Sequence, residues 1–215
     1  MKTEYFKPIF LRLPPEKRQK IIDAAVEEFS RNGFDSANVN NIASKSGISV
    51  GSIYKYFDSK EHLYLSIVNH AVETLSNVLY DIIKGEEDLE TRIRKIIRSI
   101  QTYTRKYVGL TKLYNEMATE NHSGLTWKLV SDMENVTAGL YASMIKDAQG
   151  AGIVREDIDP KHFAFFMDNL FIMLQFSYAC EYYKERMKLY VGEDVFDNDE
   201  MVEEQLMKFI KGLSS

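Results

Sequence analysis

Within this 215-residue chain, the run Ser46-Gly47-Ile48-Ser49-Val50-Gly51-Ser52-Ile53-Tyr54-Lys55-Tyr56-Phe57-Asp58-Ser59-Lys60 holds the residue types and spacings best suited to chemistry with a partner. Ile53 and Phe57 stand four apart, which puts them on one face of a short helix, pointing inward. The other surfaces carry Val50, Gly51, Ser52, Tyr54, Lys55 and Tyr56. A face that is small and polar at its N-terminal end lets a partner approach the backbone, and tyrosine hydroxyls with a lysine suit phosphate oxygens. Lys60 adds a cation beside the free N–H groups that open the next helix, a second phosphate-type position. Other chemistries lack a constellation. The four histidines, His62, His70, His122 and His162, have no Glu-x-x-His or His-x-x-x-His spacing. The single Cys180 can form neither an internal disulfide nor a thiolate cluster, and no base stands near it in sequence. No glycine-rich phosphate loop occurs. The expectation is a protein that is not an enzyme and that carries no cofactor and no metal.

The elements that must position these residues are helical. From Pro15 the residues Ile21, Ile22, Ala25, Val26 and Phe29 recur on one face, with Lys17, Lys20, Asp23, Glu27 and Glu28 on the other, until Asn32-Gly33 ends the pattern. Asn38 caps a segment over Val39 to Ser46, and Gly47 closes it. Ser49 caps Val50 to Phe57, and Ser59 caps a long helix over about Lys60 to Lys84. Helical patterns follow over Leu89–Tyr107, Leu110–Glu120 and Leu125–Gln149. After the break at Gln149-Gly150-Ala151-Gly152, Asp159-Pro160 starts a helix expected to run to about Tyr190, apolar nearly all round. Glu200 to Lys211 is the last, with Val202, Leu206 and Phe209 as its stripe. No stretch alternates as a strand does, so the fold class is all-α, divided into a head, residues 1–60, and a body, residues 61–215. The N-terminal tail from Lys2 to Arg12 is expected to be disordered.

Composition sharpens the reading of the head. The formal charge is -5, yet residues 1–60 hold ten Lys/Arg against seven Asp/Glu, leaving the excess acid in the body. A basic head on an acidic body turns the head toward phosphates. The start has no continuous apolar core, and no run of about 18 apolar residues occurs, so neither a secretion signal nor a membrane span is expected and the chain is placed in the cytoplasm. Helix, glycine turn and helix could be a mere packing unit with Tyr54 and Tyr56 in its core. The coincidence of a small polar face, apolar residues opposite and net positive charge instead favours a helix-turn-helix reader of double-stranded DNA.

The segment from Lys17 to Leu63, above all Ile42-Ala43, Gly47 to Phe57 and Ser59-Lys60-Glu61-His62-Leu63, resembles the TetR (tetracycline repressor) family of bacterial regulators. Gln149 to Pro160 is similar to that family's approach to its penultimate helix. The resemblance implies a homodimer of subunits with about nine helices, three in the head. It places Asn40, Val50, Gly51, Ser52 and Lys55 near bases of an operator, and Tyr54, Tyr56 and Lys60 on phosphates. The caps Asn38 and Ser49 belong to the same site. Val50 suits a thymine methyl. The function implied is a transcription regulator, a repressor released by a small apolar or amphipathic effector; control of the body by a protein partner is the alternative.

The apolar helix from Pro160 and the last helix look like that family's dimer-forming pair, and the stripe in the last helix supports this independently. Two linked half-sites are also what a short recognition element needs for affinity. Tyr103, Tyr107, Tyr114, Met117, Trp127, Met133, Phe166 and Asn169 are the effector candidates, since methionine and aromatic side chains line pliable apolar pockets as well as ordinary cores. Asp168, Asn169 and Gln175, polar residues in an apolar helix, face either a ligand or the dimer axis.

Overall fold

The computed structural model describes residues 5–85, 87–119 and 124–214. Every extended regular element among them is helical: α1 (Pro8–Leu11), α2 (Pro15–Ser36), α3 (Val39–Ser46), α4 (Val50–Tyr56), α5 (Lys60–Lys84), α6 (Leu89–Lys106), α7 (Val108–Thr119), α8 (Gly124–Gly150), α9 (Pro160–Ala179), α10 (Glu181–Val191) and α11 (Asp199–Ser214), with a 3-10 turn at Val195–Asp197. Gly33, at φ 71° and ψ 171°, breaks α2 before its last turn, as Asn32-Gly33 led us to expect.

Two elements depart from the sequence reading and account for the helices beyond nine. The tail is ordered over the residues described: Tyr5 and Phe10 are buried, and α1 packs Phe10 on Phe57 with ring centroids 4.9 Å apart. Aromatic burial outweighs the entropy that makes most termini loose. The expected helix from Pro160 to Tyr190 is also two helices, bent by 104° at Cys180, whose backbone is extended at φ -104° and ψ 128°. No glycine or proline marks that bend. The fold-back is held by packing, with the Phe176 and Tyr183 rings 5.5 Å apart across it. Among the described residues no single helix is long and apolar enough to cross a membrane.

Contacts divide the chain into two compact units, Met1–Thr74 with Lys112–Leu129, and Leu75–Thr111 with Val130–Ser215. The chain passes between them within α5, α7 and α8. The first has Ile21, Ala25, Phe29, Ile42, Ile53, Phe57 and Leu63 at its centre. The second is built on Ile93, Ile97, Tyr141, Met144, Ile145, Met167 and Phe171. Its helices α6 and α11 are also joined by charge. The buried carboxylate of Glu203 accepts from Arg98 Nε at 2.6 Å and from Arg94 at 2.9 Å. Burial works against the charge on Glu203, and Arg98 and Arg94 outweigh it, holding its pKa below the ordinary value. Two turns of α6 beyond Arg98, Arg105 pairs with Asp199 and lies over the Tyr178 ring, while Tyr178 donates to Asp199 at 2.7 Å. Burial first, and then the bond to Asp199, push the Tyr178 phenol up to about 12.

Candidate nucleic-acid interface

The site is built upward from Glu28. Although it was expected on the polar face of α2, it is 3% exposed. Its Oε1 accepts from Asn32 Nδ2 at 3.0 Å, from the Asn38 backbone N–H at 3.0 Å and from Asn41 Nδ2 at 3.1 Å. Burial raises the carboxyl's pKa, and these donors together bring it below the ordinary glutamate value. Glu28 is three residues after Ala25 and next to Phe29, within the apolar stripe; that spacing was the available signal. An ionised carboxylate at this point fixes where α3 begins.

The start of α3 is a self-contained cap. Asn38 Oδ1 accepts from the Asn40 backbone N–H and from Asn40 Nδ2, both at 2.9 Å. Asn40 itself is exposed. At the other end Gly47 adopts φ 71° and ψ 30°, and the Ile48 N–H reaches back to the Ala43 carbonyl at 3.0 Å, a closing bond that requires the left-handed residue. Ser49 then caps α4: its Oγ accepts from the Ser52 N–H at 3.1 Å, and the two hydroxyls lie 2.9 Å apart. Ile53 and Phe57 are buried and Ile48 is half-buried. Gly51, Tyr54 and Lys55 are exposed; Val50, Ser52 and Tyr56 are half-buried. A Cβ on Gly51 would meet nothing closer than Ser49 Oγ at 3.8 Å. Among the described residues nothing calls for glycine there.

Two lysines hold the ends of this unit. Lys7 donates its backbone N–H to Tyr56 O at 2.8 Å and its ammonium to Tyr54 O at 3.0 Å, and pairs with Asp58 at 2.8 Å. It therefore occupies the carbonyls that α4 leaves open at its C-terminus, where a cation is favoured. Its bond to Asp58 holds that carboxyl below its ordinary pKa. Phe10 backs Tyr56 at 5.8 Å. This strap was missed because the charges of the tail hid the aromatic pair Phe6 and Phe10 and the helix-starting Pro8. Lys60 donates to Asp35 O at 2.9 Å and lies 5.0 Å over the Phe34 ring, so its ammonium also secures the end of α2.

Two short helices joined by a glycine turn, the first anchored on a buried carboxylate and the second presenting a small polar face, define a helix-turn-helix DNA-binding unit. Residues 21–67 match the description "Bacterial regulatory proteins, tetR family". The chain is 28% identical to the transcriptional repressor NicS of Pseudomonas putida over 67% of this chain and 69% of that protein. It is 26% identical to the uncharacterized helix-turn-helix regulator YvdT of Bacillus subtilis over 91% and 93% of the two chains. Among solved structures, the regulator FadR from Bacillus subtilis in complex with stearoyl-CoA has the same fold, with a TM-score of 0.73 at 16% identity over 92% of this chain and 99% of that one. Residues 21–67 thus match the tetR-family DNA-binding segment, and the chain is similar to regulators of that kind in sequence and in fold.

The effector candidates are dispersed. Tyr114, Met117 and Trp127 belong to the first unit, Tyr103, Tyr107, Phe166 and Asn169 to the second. Met117 is buried, Tyr103 and Tyr114 are half-buried, and Trp127 and Phe166 are 70% and 61% exposed. Tyr103 and Tyr107 stack at 6.0 Å. The side chain of Met133 lies outside the described residues. In the second unit a shallow apolar hollow of about 200 Å³ is lined by Ile158, His162, Phe163, Phe166, Met167, Leu170 and Ile210; of the candidates it takes in Phe166. Asn169 is exposed and donates to the Phe165 carbonyl, and Gln175 is half-buried. Asp168 is the notable polar residue of α9: burial, reinforced by Glu134, pushes its carboxyl up to about 7.

Proposed function

We propose that this regulator is a dimeric repressor that reads an operator through α3 and α4 and is released from it by a small apolar or amphipathic effector held in the body. The observation that carries the DNA half is Gly51. A helical glycine with no intramolecular need of it costs stability, and a surface that must admit a base edge accounts for it. Around it Asn40, Val50, Ser52 and Lys55 are assigned to bases, Tyr54, Tyr56 and Lys60 to phosphates, and Asn38 and Ser49 to capping the two helices at the DNA surface. The functional division stays at residue 60, with recognition before it and control after it.

Dimerisation is assigned to α9 and α11, whose Phe165, Phe166, Met201 and Phe209 are between 55% and 63% exposed in the single chain. An apolar patch of that kind is what a two-fold interface covers. For the effector, the complex of FadR with stearoyl-CoA supports an amphipathic ligand, and the methionine-rich and aromatic body supports an apolar contact surface. Effector binding would tilt α5, which runs from the head into the second unit, and change the spacing of the two recognition helices.

The test is selection of bound sequences from random duplex DNA, followed by a small-molecule release screen on the selected operator. A two-fold symmetric consensus released by acyl or other amphipathic compounds supports the proposal. Retention of no sequence overturns it, and release only by a protein moves control to a partner.

A further inference from the structure

The α2–α3 turn is gripped from α7. After Gly33 the chain restarts a helical turn, closed by Ala37 N–H donating to Gly33 O at 3.2 Å. The N–H groups that open such a turn have no partner of their own within it. That of Phe34 donates to Glu116 Oε1 on α7 at 2.7 Å, across 82 residues of sequence. The fit is close: a Cβ on Gly33 would lie 3.0 Å from the same oxygen. The Phe34 ring is stacked on Phe29, tilted against Tyr64 and covered by the Lys60 ammonium. Four residues later stands Asn38, whose N–H is fixed by Glu28 and whose side chain caps α3. The turn that delivers α3 to its place is thus held by Glu28 from α2, Lys60 from α5 and Glu116 from α7.

Of these three, Glu116 alone lies outside residues 21–67, the part of the chain shared with the family description. Its helix starts in the second compact unit and enters the first at Lys112, with Leu113 and Met117 of the same helix buried. A charge-assisted hydrogen bond is strong and short-ranged, so a displacement of α7 by an ångström or so is enough to weaken it.

We infer that Glu116 is a positioning residue for the DNA reader and the point at which α7 acts on it: withdrawing its carboxylate frees the α2–α3 turn and lowers operator affinity. This rests on the DNA-binding reading above and adds to it a route of control separate from the tilt of α5.

The experiment uses the full chain with E116A, E116D and E116Q, the operator selected from random DNA, and amide hydrogen exchange. E116Q keeps an acceptor at the same reach, whereas E116D keeps the charge and shortens the reach by one methylene. In E116A and E116D the Phe34 amide should exchange faster while the amides of Ile42 and Ile53 keep their protection. Operator affinity should fall about tenfold in both, with E116Q within about threefold of wild type. Unchanged exchange at Phe34, or unchanged affinity in both shortened variants, overturns the assignment. Should E116A fold poorly, E116D against E116Q still decides it. A wild-type chain that retains no DNA sequence would overturn the DNA-binding reading instead, and the Phe34 amide would continue to report whether the carboxylate holds the turn.

Discussion

At the scale of single residues, stability and recognition separate at Gly51. Because the space around its missing Cβ is open, G51A should leave thermal unfolding unchanged or raise stability by up to about 1 kcal/mol. G51L should fold equally well and lose operator affinity by at least about tenfold, since its side chain would stand where a base edge must approach. Lys55 tests direct readout: K55A should relax specificity at one operator base more than it weakens binding to other sequences. Uniform weakening on every sequence, with the slope of log affinity against log salt reduced by about one, would move Lys55 to a phosphate contact. Asp168 carries a separate, pH-dependent signature. With its folded pKa near 7 against an ordinary 3.8, the folded chain holds a proton there that the unfolded chain has released. Stability therefore falls as pH rises from about 4 to 7, by about 3–4 kcal/mol in all. D168N should abolish that fall and raise the melting temperature at pH 8 more than at pH 5.

Among the elements, α6 and α11 are tied by Glu203. E203A leaves Arg94 without one of its partners and should destabilise the chain by about 2–3 kcal/mol, read by denaturant unfolding. The sign with pH is opposite to that of Asp168. The folded pKa of Glu203 lies below its unfolded value, so its stabilisation is complete above about pH 5 and is lost on acidification through the folded pKa. Periodicity made most elements legible: α5, α6 and α8 begin and end within about two residues of where capping residues and glycines put them. The bend at Cys180 was not legible, because it follows from how Phe176 and Tyr183 pack and not from any helix breaker. The reader itself could be read because its signals are local, a cap at Asn38, a left-handed glycine at 47 and a cap at Ser49. Glu28, Lys7 and Glu116 act across 10, 47 and 82 residues. A single sequence holds no record of which distant groups will meet. The effector candidates suffered from a related ambiguity, since an aromatic side chain at helical spacing looks the same in a core, on a surface and in a pocket.

For the whole molecule, the uncovered aromatic face of α9 and α11 sets the expectation. F165D combined with F209D should give a monomer by light scattering, with its helix content intact by circular dichroism. The monomer should lose high-affinity binding to a symmetric operator while keeping weak, salt-sensitive binding to any duplex. A dimer that survives both charges would place the interface elsewhere. The N-terminal strap has a practical corollary for anyone producing the protein. Lys7 and Phe10 press on the back of α4, so any foreign peptide joined upstream of Tyr5 is tethered within a few residues of the recognition helix. Affinity handles and fusion partners placed at that end can crowd the duplex or pull the strap away, and a preparation that is folded, pure and silent on DNA would reflect the cloning strategy before it reflected the regulator.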